Sequence, residues 1–123
     1  MPQNYSDKIK DHYHNPRNAG KLDDADFVAE QINPFCGDET RIYIKYSNAR
    51  GREHLIENIS HETRGCMICV AAASVISEYA KGKTLSEIKK LESKEIEKML
   101  GVEISQARAS CATLVIKAFR VLE

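Results

Sequence analysis

The sequence predicts an α+β fold, a three-stranded antiparallel sheet with helices packed on one face, on three observations. Strand-like segments are confined to residues 27–59. Helix-period segments dominate from Gly65 onward. The two patterns do not alternate, as they would in a parallel sheet with crossover helices.

Asn4 or Ser6 can cap a first short helix over Asp7–Tyr13, with Tyr5, Ile9, His12 and Tyr13 on one side. Pro16 disfavours helix at Asn15, and the segment through Asp26 reads as a charged, turn-rich loop. The first strand is expected over Phe27–Ile32, ended by Pro34. The second is the clearest, because Ile42, Ile44 and Tyr46 alternate with Arg41, Tyr43 and Lys45. The third is expected over Leu55–Ile59, joined to the second by a hairpin through Ser47–Glu53. Ala72, Val75, Ile76 and Tyr79 then recur at helical spacing, and Gly82 marks the end of that long helix. Thr84 and Glu87 have capping-box spacing for a short helix to Leu91. Another helix runs from Ser93 to Leu100, closed by Gly101. The last is expected from about Ala107 to Leu122, with Thr113, Lys117 and Arg120 as a narrow polar stripe.

A chain of 123 residues suits one domain over 1–123, large enough to bury a real core. Eighteen Lys plus Arg balance eighteen Asp plus Glu, which argues against a general nucleic-acid binder. Arg50, Arg52, Arg64 and the Lys81–Lys83 segment read as solvated surface. The N-terminus lacks the apolar stretch of a signal peptide, and no run approaches the roughly 20 apolar residues that span a bilayer. A cytoplasmic location is therefore expected, where four cysteines read as thiols for metal or catalysis rather than as disulfides.

Those thiols have different settings. Cys36 and Asp38 lie two apart in the turn Pro34-Phe35-Cys36-Gly37-Asp38, where both side chains can aim at one point. Zinc accepts both ligand types, but an ordinary turn with a buried Cys explains the pentapeptide equally well. Cys66 follows Gly65 at the start of the long helix, where free amides and the helix dipole favour thiolate. Cys111 lies early in the last helix at an inward or edge position, and by itself reads as a core Cys. Cys66-Met67-Ile68-Cys69 is a CxxC, but no second CxxC and no βαβ pattern accompany it. Cys69 reads as a small helix residue. His12, His14, His54 and His61 lack catalytic context, and His61, just ahead of the second Cys loop, is the nearest to a substitute ligand.

Taken together the motifs carry a resemblance. Residues 11–20, DHYHNPRNAG, resemble the N-terminal signature of the U-type iron–sulfur scaffold family, the IscU, SufU and NifU N-terminal type. Asn33–Asp38 is similar to that family's first cysteine motif, Arg64–Ile68 with Ala71–Ser74 to its second, and Arg108–Leu114 to its third in the SufU form. The resemblance covers nearly the whole chain in the family's order. It implies the same three-stranded sheet, of the IscU/SufE-like kind, with cysteine loops meeting at one exposed end. It implies a scaffold without turnover of its own that takes persulfide sulfur from a cysteine desulfurase, gathers iron, builds a cluster of the [2Fe–2S] kind and passes it to acceptor proteins. By matching position, Cys36, Cys66 and Cys111 would be thiolate ligands and sulfur acceptors, and Asp38 the oxygen ligand. The runner-up is a zinc-bound sulfur acceptor that stimulates a desulfurase. A monomer or weak homo-oligomer is expected.

The pattern also departs from the family. Ser110 stands where one branch has His before the third Cys, and Gly101–Gln106 replaces that branch's Pro-rich chaperone tract. Cys66 and Cys111 are 45 positions apart, too close for the insertion of the SufU branch. Cys69 occupies a position usually filled by Ser or Ala, as an alternate ligand or a group that resolves a persulfide on Cys66.

Overall fold

A computed structural model describes residues 6–34, 37–47 and 55–122. Strands β1 (Phe27–Asn33), β2 (Asp38–Tyr46) and β3 (Ile56–Arg64) form one antiparallel sheet in the order β1-β2-β3. Before them lies α1 (Asp7–His14), capped by the Ser6 hydroxyl, which accepts from the Ile9 amide. After them come α2 (Met67–Ala80), α3 (Leu85–Lys89), α4 (Ser93–Leu100), α5 (Gln106–Ala112) and α6 (Leu114–Arg120). The capping box of Thr84 and Glu87 forms as the spacing predicts, and Gly101 closes α4 in the left-handed conformation at φ 73°.

The alternation in β2 sorts its faces. Ile42, Ile44 and Tyr46 join the core with Ala29 and Ile59, and α2 and α6 pack over that side. The opposite face carries Arg41, which pairs with Glu30, and Tyr43, whose hydroxyl donates to Glu62 Oε1 at 2.5 Å. Val28 and Ile32 on that face are exposed.

Three features differ from the sequence reading. β3 continues past Ile59 to Arg64. Its second half is polar, so hydropathy does not announce it, yet His61 is buried because Thr63 Oγ1 and the Arg17 carbonyl occupy its two ring nitrogens, at 2.8 and 2.9 Å. α2 is buried on nearly every side rather than along one stripe, and Tyr79, expected on the buried face, lies at the surface beneath the Lys83 ammonium. The predicted final helix is two, broken at Thr113. There both the amide and the hydroxyl of Thr113 donate to the Ala109 carbonyl, at 3.0 and 2.9 Å, a competition that bends helices. The predicted hairpin link lies mostly outside the described residues. Among the described residues no helix is long and apolar enough to cross a membrane.

Candidate metal centre

Three elements deliver three candidate ligands to one place. Asp38 opens β2, directly opposite Asn33 at the end of β1. Cys66 is the N-cap of α2, with extended backbone at φ −68° and ψ 164°. Cys111 is in α5 and packs into the core. One ligand atom from each lies within 4.8 Å of the other two. Cys66 Sγ stands 3.9 Å from Asp38 Oδ2, near the about 3.5 Å expected between sulfur and oxygen ligands of one tetrahedral ion.

The carboxylate is held deliberately. Asp38 is only 1% exposed, and Oδ1 accepts the Cys66 amide at 3.0 Å. That amide is one of the unpaired donors at the start of α2, so the bond satisfies the helix end and fixes the side chain. Gly65 makes the approach possible. A Cβ there would stand 2.1 Å from Asp38 Oδ1, and its φ of +144° is one that side chains rarely adopt. Among the described residues no lysine or arginine pairs with Asp38. A buried carboxylate without a cationic side chain beside two thiols is a donor set that suits a thiophilic cation.

Cys36 lies outside the described residues, as does His54. The amide of Gly37 donates to the Asn33 carbonyl at 2.8 Å, tying the residue before Asp38 back to β1. Cys69 belongs to the hydrophobic core and not to the three-residue group. His61 is engaged by Thr63 and Arg17 as described, which removes it as a substitute ligand.

Sequence reasoning missed the polar lattice that seats the N-terminal motif. His12 is buried, with Nδ1 2.6 Å from Ser74 Oγ, and that hydroxyl accepts the Arg17 amide at 2.8 Å. Asn18 donates to Ser77 Oγ at 3.0 Å and accepts from Lys81 at 2.7 Å. Its carbonyl takes the His61 amide, and Gly20 donates to the His61 carbonyl. The segment is thus fastened to α2 and β3, the two elements that meet at Cys66. Burial pushes the His12 imidazole below its usual range and Arg17 adds to the shift; burial does the same to His61, opposed by its bond to the Arg17 carbonyl. Ser74 and Ser77, two polar residues three apart within the largely apolar run of α2, were the available signal.

Comparison with known proteins follows the same outline. Residues 4–121 match the family described as the NifU-like N terminal domain. The iron–sulfur cluster assembly scaffold protein IscU 1 of Archaeoglobus fulgidus is 41% identical over 116 residues, covering 94% of this chain and 72% of the relative. The IscU scaffold protein of Azotobacter vinelandii is 37% identical over 119 residues, covering 94% and 88%. A crystal structure described as an iron–sulfur cluster assembly scaffold protein for the SUF system, from Fervidobacterium islandicum, superposes with a TM-score of 0.72 at 26% identity, covering 95% of this chain and 94% of that one.

Proposed function

We propose that this chain, which belongs to the family of NifU-like N-terminal domains, is an assembly scaffold on which an iron–sulfur cluster is built and from which it is handed on. The observation that carries the reading is the convergence of Asp38, Cys66 and Cys111 from three separate elements. Cys36, Cys66 and Cys111 supply thiolates, and Asp38 supplies the one oxygen. The cargo is of the [2Fe–2S] kind, its sulfur comes from a cysteine desulfurase, and its recipients are apo-acceptor proteins. Soft thiolates suit the iron of such a cluster.

Of the described thiols in the group, Cys66 is partly exposed and Cys111 is not. Cys66 is therefore the better placed of the two to attack the outer sulfur of an incoming persulfide, with the desulfurase cysteine leaving as thiolate. Asp38 is a harder and weaker partner for iron than a fourth thiolate, which keeps the cargo transferable. The test is Asp38→Ala loaded anaerobically and mixed with an apo-ferredoxin. Transfer slows several-fold on this reading, and an unchanged rate rules it out.

A second reading is a zinc-bound sulfur acceptor for a desulfurase. It is favoured by the absence of an imidazole before Cys111, where Ser110 instead faces Asn33, and three thiolates with one carboxylate suit tetrahedral zinc. Anaerobically purified protein separates the two, brown with iron and sulfide or colourless with zinc alone.

A further inference from the structure

We infer that the hydrogen bond from Asn33 Nδ2 to Ser110 Oγ, 3.1 Å long, is a latch that seats the Cys111 helix on the ligand-bearing end of the sheet and sets how readily Cys111 leaves the site. The inference rests on the scaffold reading for its consequence, but not for its geometry. Asp38 and Cys66 are already tied to each other by the 3.0 Å bond from the Cys66 amide. Cys111 arrives on a different kind of support. α5 spans seven residues, has no side-chain cap from Ser105, and ends at the Thr113 break. It packs on α2, α4 and α6. A short, uncapped helix between breaks is the sort of element that opens locally at low cost.

Asn33 supplies the opposing anchor. It is buried, it faces Asp38 across the β1–β2 register, and its carbonyl accepts the Gly37 amide. One residue thus meets Asp38 across the strand register, holds the Gly37 amide and, through its side chain, reaches the residue next to Cys111. Ser110 and Asn33 are positioning residues on this account. Ser110 turns its hydroxyl to Asn33, so the position that carries a potential ligand in one family branch carries a tether here.

The test reads the metal-free, reduced protein first. Alkylation of Cys111 by iodoacetamide is followed by peptide mass spectrometry, with Cys69 in the α2 core as internal control. Ser110→Ala and Asn33→Ala should each speed Cys111 modification about two- to tenfold, the range that one neutral hydrogen bond spans, and leave Cys69 unchanged. The double variant should be no faster than either single, because both remove the same bond. Ser110→Thr, which keeps a hydroxyl, should restore the wild-type rate and carries the test with Ser110→Ala if Asn33→Ala does not fold. Unchanged Cys111 rates, effects that multiply in the double variant, or Cys69 rising in step with Cys111 would each overturn the latch. Cobalt(II) is the second probe: its release to a chelator, followed by thiolate-to-cobalt absorption, should accelerate by the same factor. If the wild-type protein takes up no thiolate-bound cobalt, the scaffold reading fails, while the alkylation result still decides the latch.

Discussion

Gly65→Ala places one methyl group where the Asp38 carboxylate sits. The added carbon would lie 2.1 Å from Asp38 Oδ1, 2.7 Å from Cγ and 2.9 Å from Cβ, all inside van der Waals contact. Asp38 must then rotate away and give up the Cys66 amide, a hydrogen bond to a charged group worth about 1.5–3 kcal/mol. The alanine must also hold φ near +144°, which costs about 1–3 kcal/mol. A total of about 2.5–6 kcal/mol is a large share of the stability of a small domain. At about 4 °C per kcal/mol for a chain of this size, Tm falls by about 10–24 °C. Gly82→Ala is the control, since Gly82 also has positive φ but nothing within 4 Å of the added carbon; it should cost about 1 kcal/mol from backbone strain alone. Thermal melts of the metal-free proteins compare the two, and cobalt titration reads the site. Gly65→Ala should also bind cobalt at least about tenfold more weakly, because the one oxygen ligand no longer faces the thiols. The reasoning is refuted if Gly65→Ala melts with Gly82→Ala and keeps wild-type cobalt affinity.

Other consequences are separable. His12 and His61 are both held below their usual pKa by burial. The unfolded chain therefore binds more protons, so stability is full above about pH 6.5 and declines as pH falls toward the folded values; denaturant melts of His12→Gln with His61→Gln should show a shallower acid slope than wild type. Phe119 on α6 is fully buried in the core, and Phe119→Ala should cost about 3–5 kcal/mol by urea denaturation. Glu87 closes the α3 capping box by accepting the Thr84 amide at 2.8 Å; Glu87→Ala should cost about 0.5–1 kcal/mol and leave cobalt binding unchanged.

The parts of the fold legible in the sequence were those written in hydropathy and caps. β2 alternates, Thr84 and Glu87 have capping spacing, and Gly101 follows the last apolar position of α4, so each could be placed in advance. The second half of β3 was hidden because its buried side chains, Ser60 and His61, are polar, and the Arg17 carbonyl that takes one His61 nitrogen comes from a distant loop. The Thr113 break was hidden because a hydroxyl turned back on the Ala109 carbonyl leaves the apolar period intact. At the candidate site the spacing of single residues left Cys111 a core cysteine, and it was the family resemblance that grouped Cys36, Asp38, Cys66 and Cys111; the fold brings ligand atoms of Asp38, Cys66 and Cys111 within 4.8 Å of one another, and Cys36 lies outside the described residues. What no spacing rule could supply was the support: Gly65 making room for Asp38, Asn33 reaching Ser110, and Ser74 and Ser77 receiving the N-terminal motif. Each of these joins segments far apart in the chain, and neither side carries a sign of its partner.

The central claim, that three cysteines and Asp38 hold an iron–sulfur cargo, is tested most directly by counting iron and acid-labile sulfide per chain after anaerobic assembly with a cysteine desulfurase, cysteine, ferrous iron and a dithiol reductant that takes the persulfide sulfur to sulfide. Wild-type protein should hold both in equal amounts, and Cys66→Ser and Cys111→Ser should each lose them together. Zinc bound without sulfide, or iron and sulfide retained in full by both variants, would contradict the account.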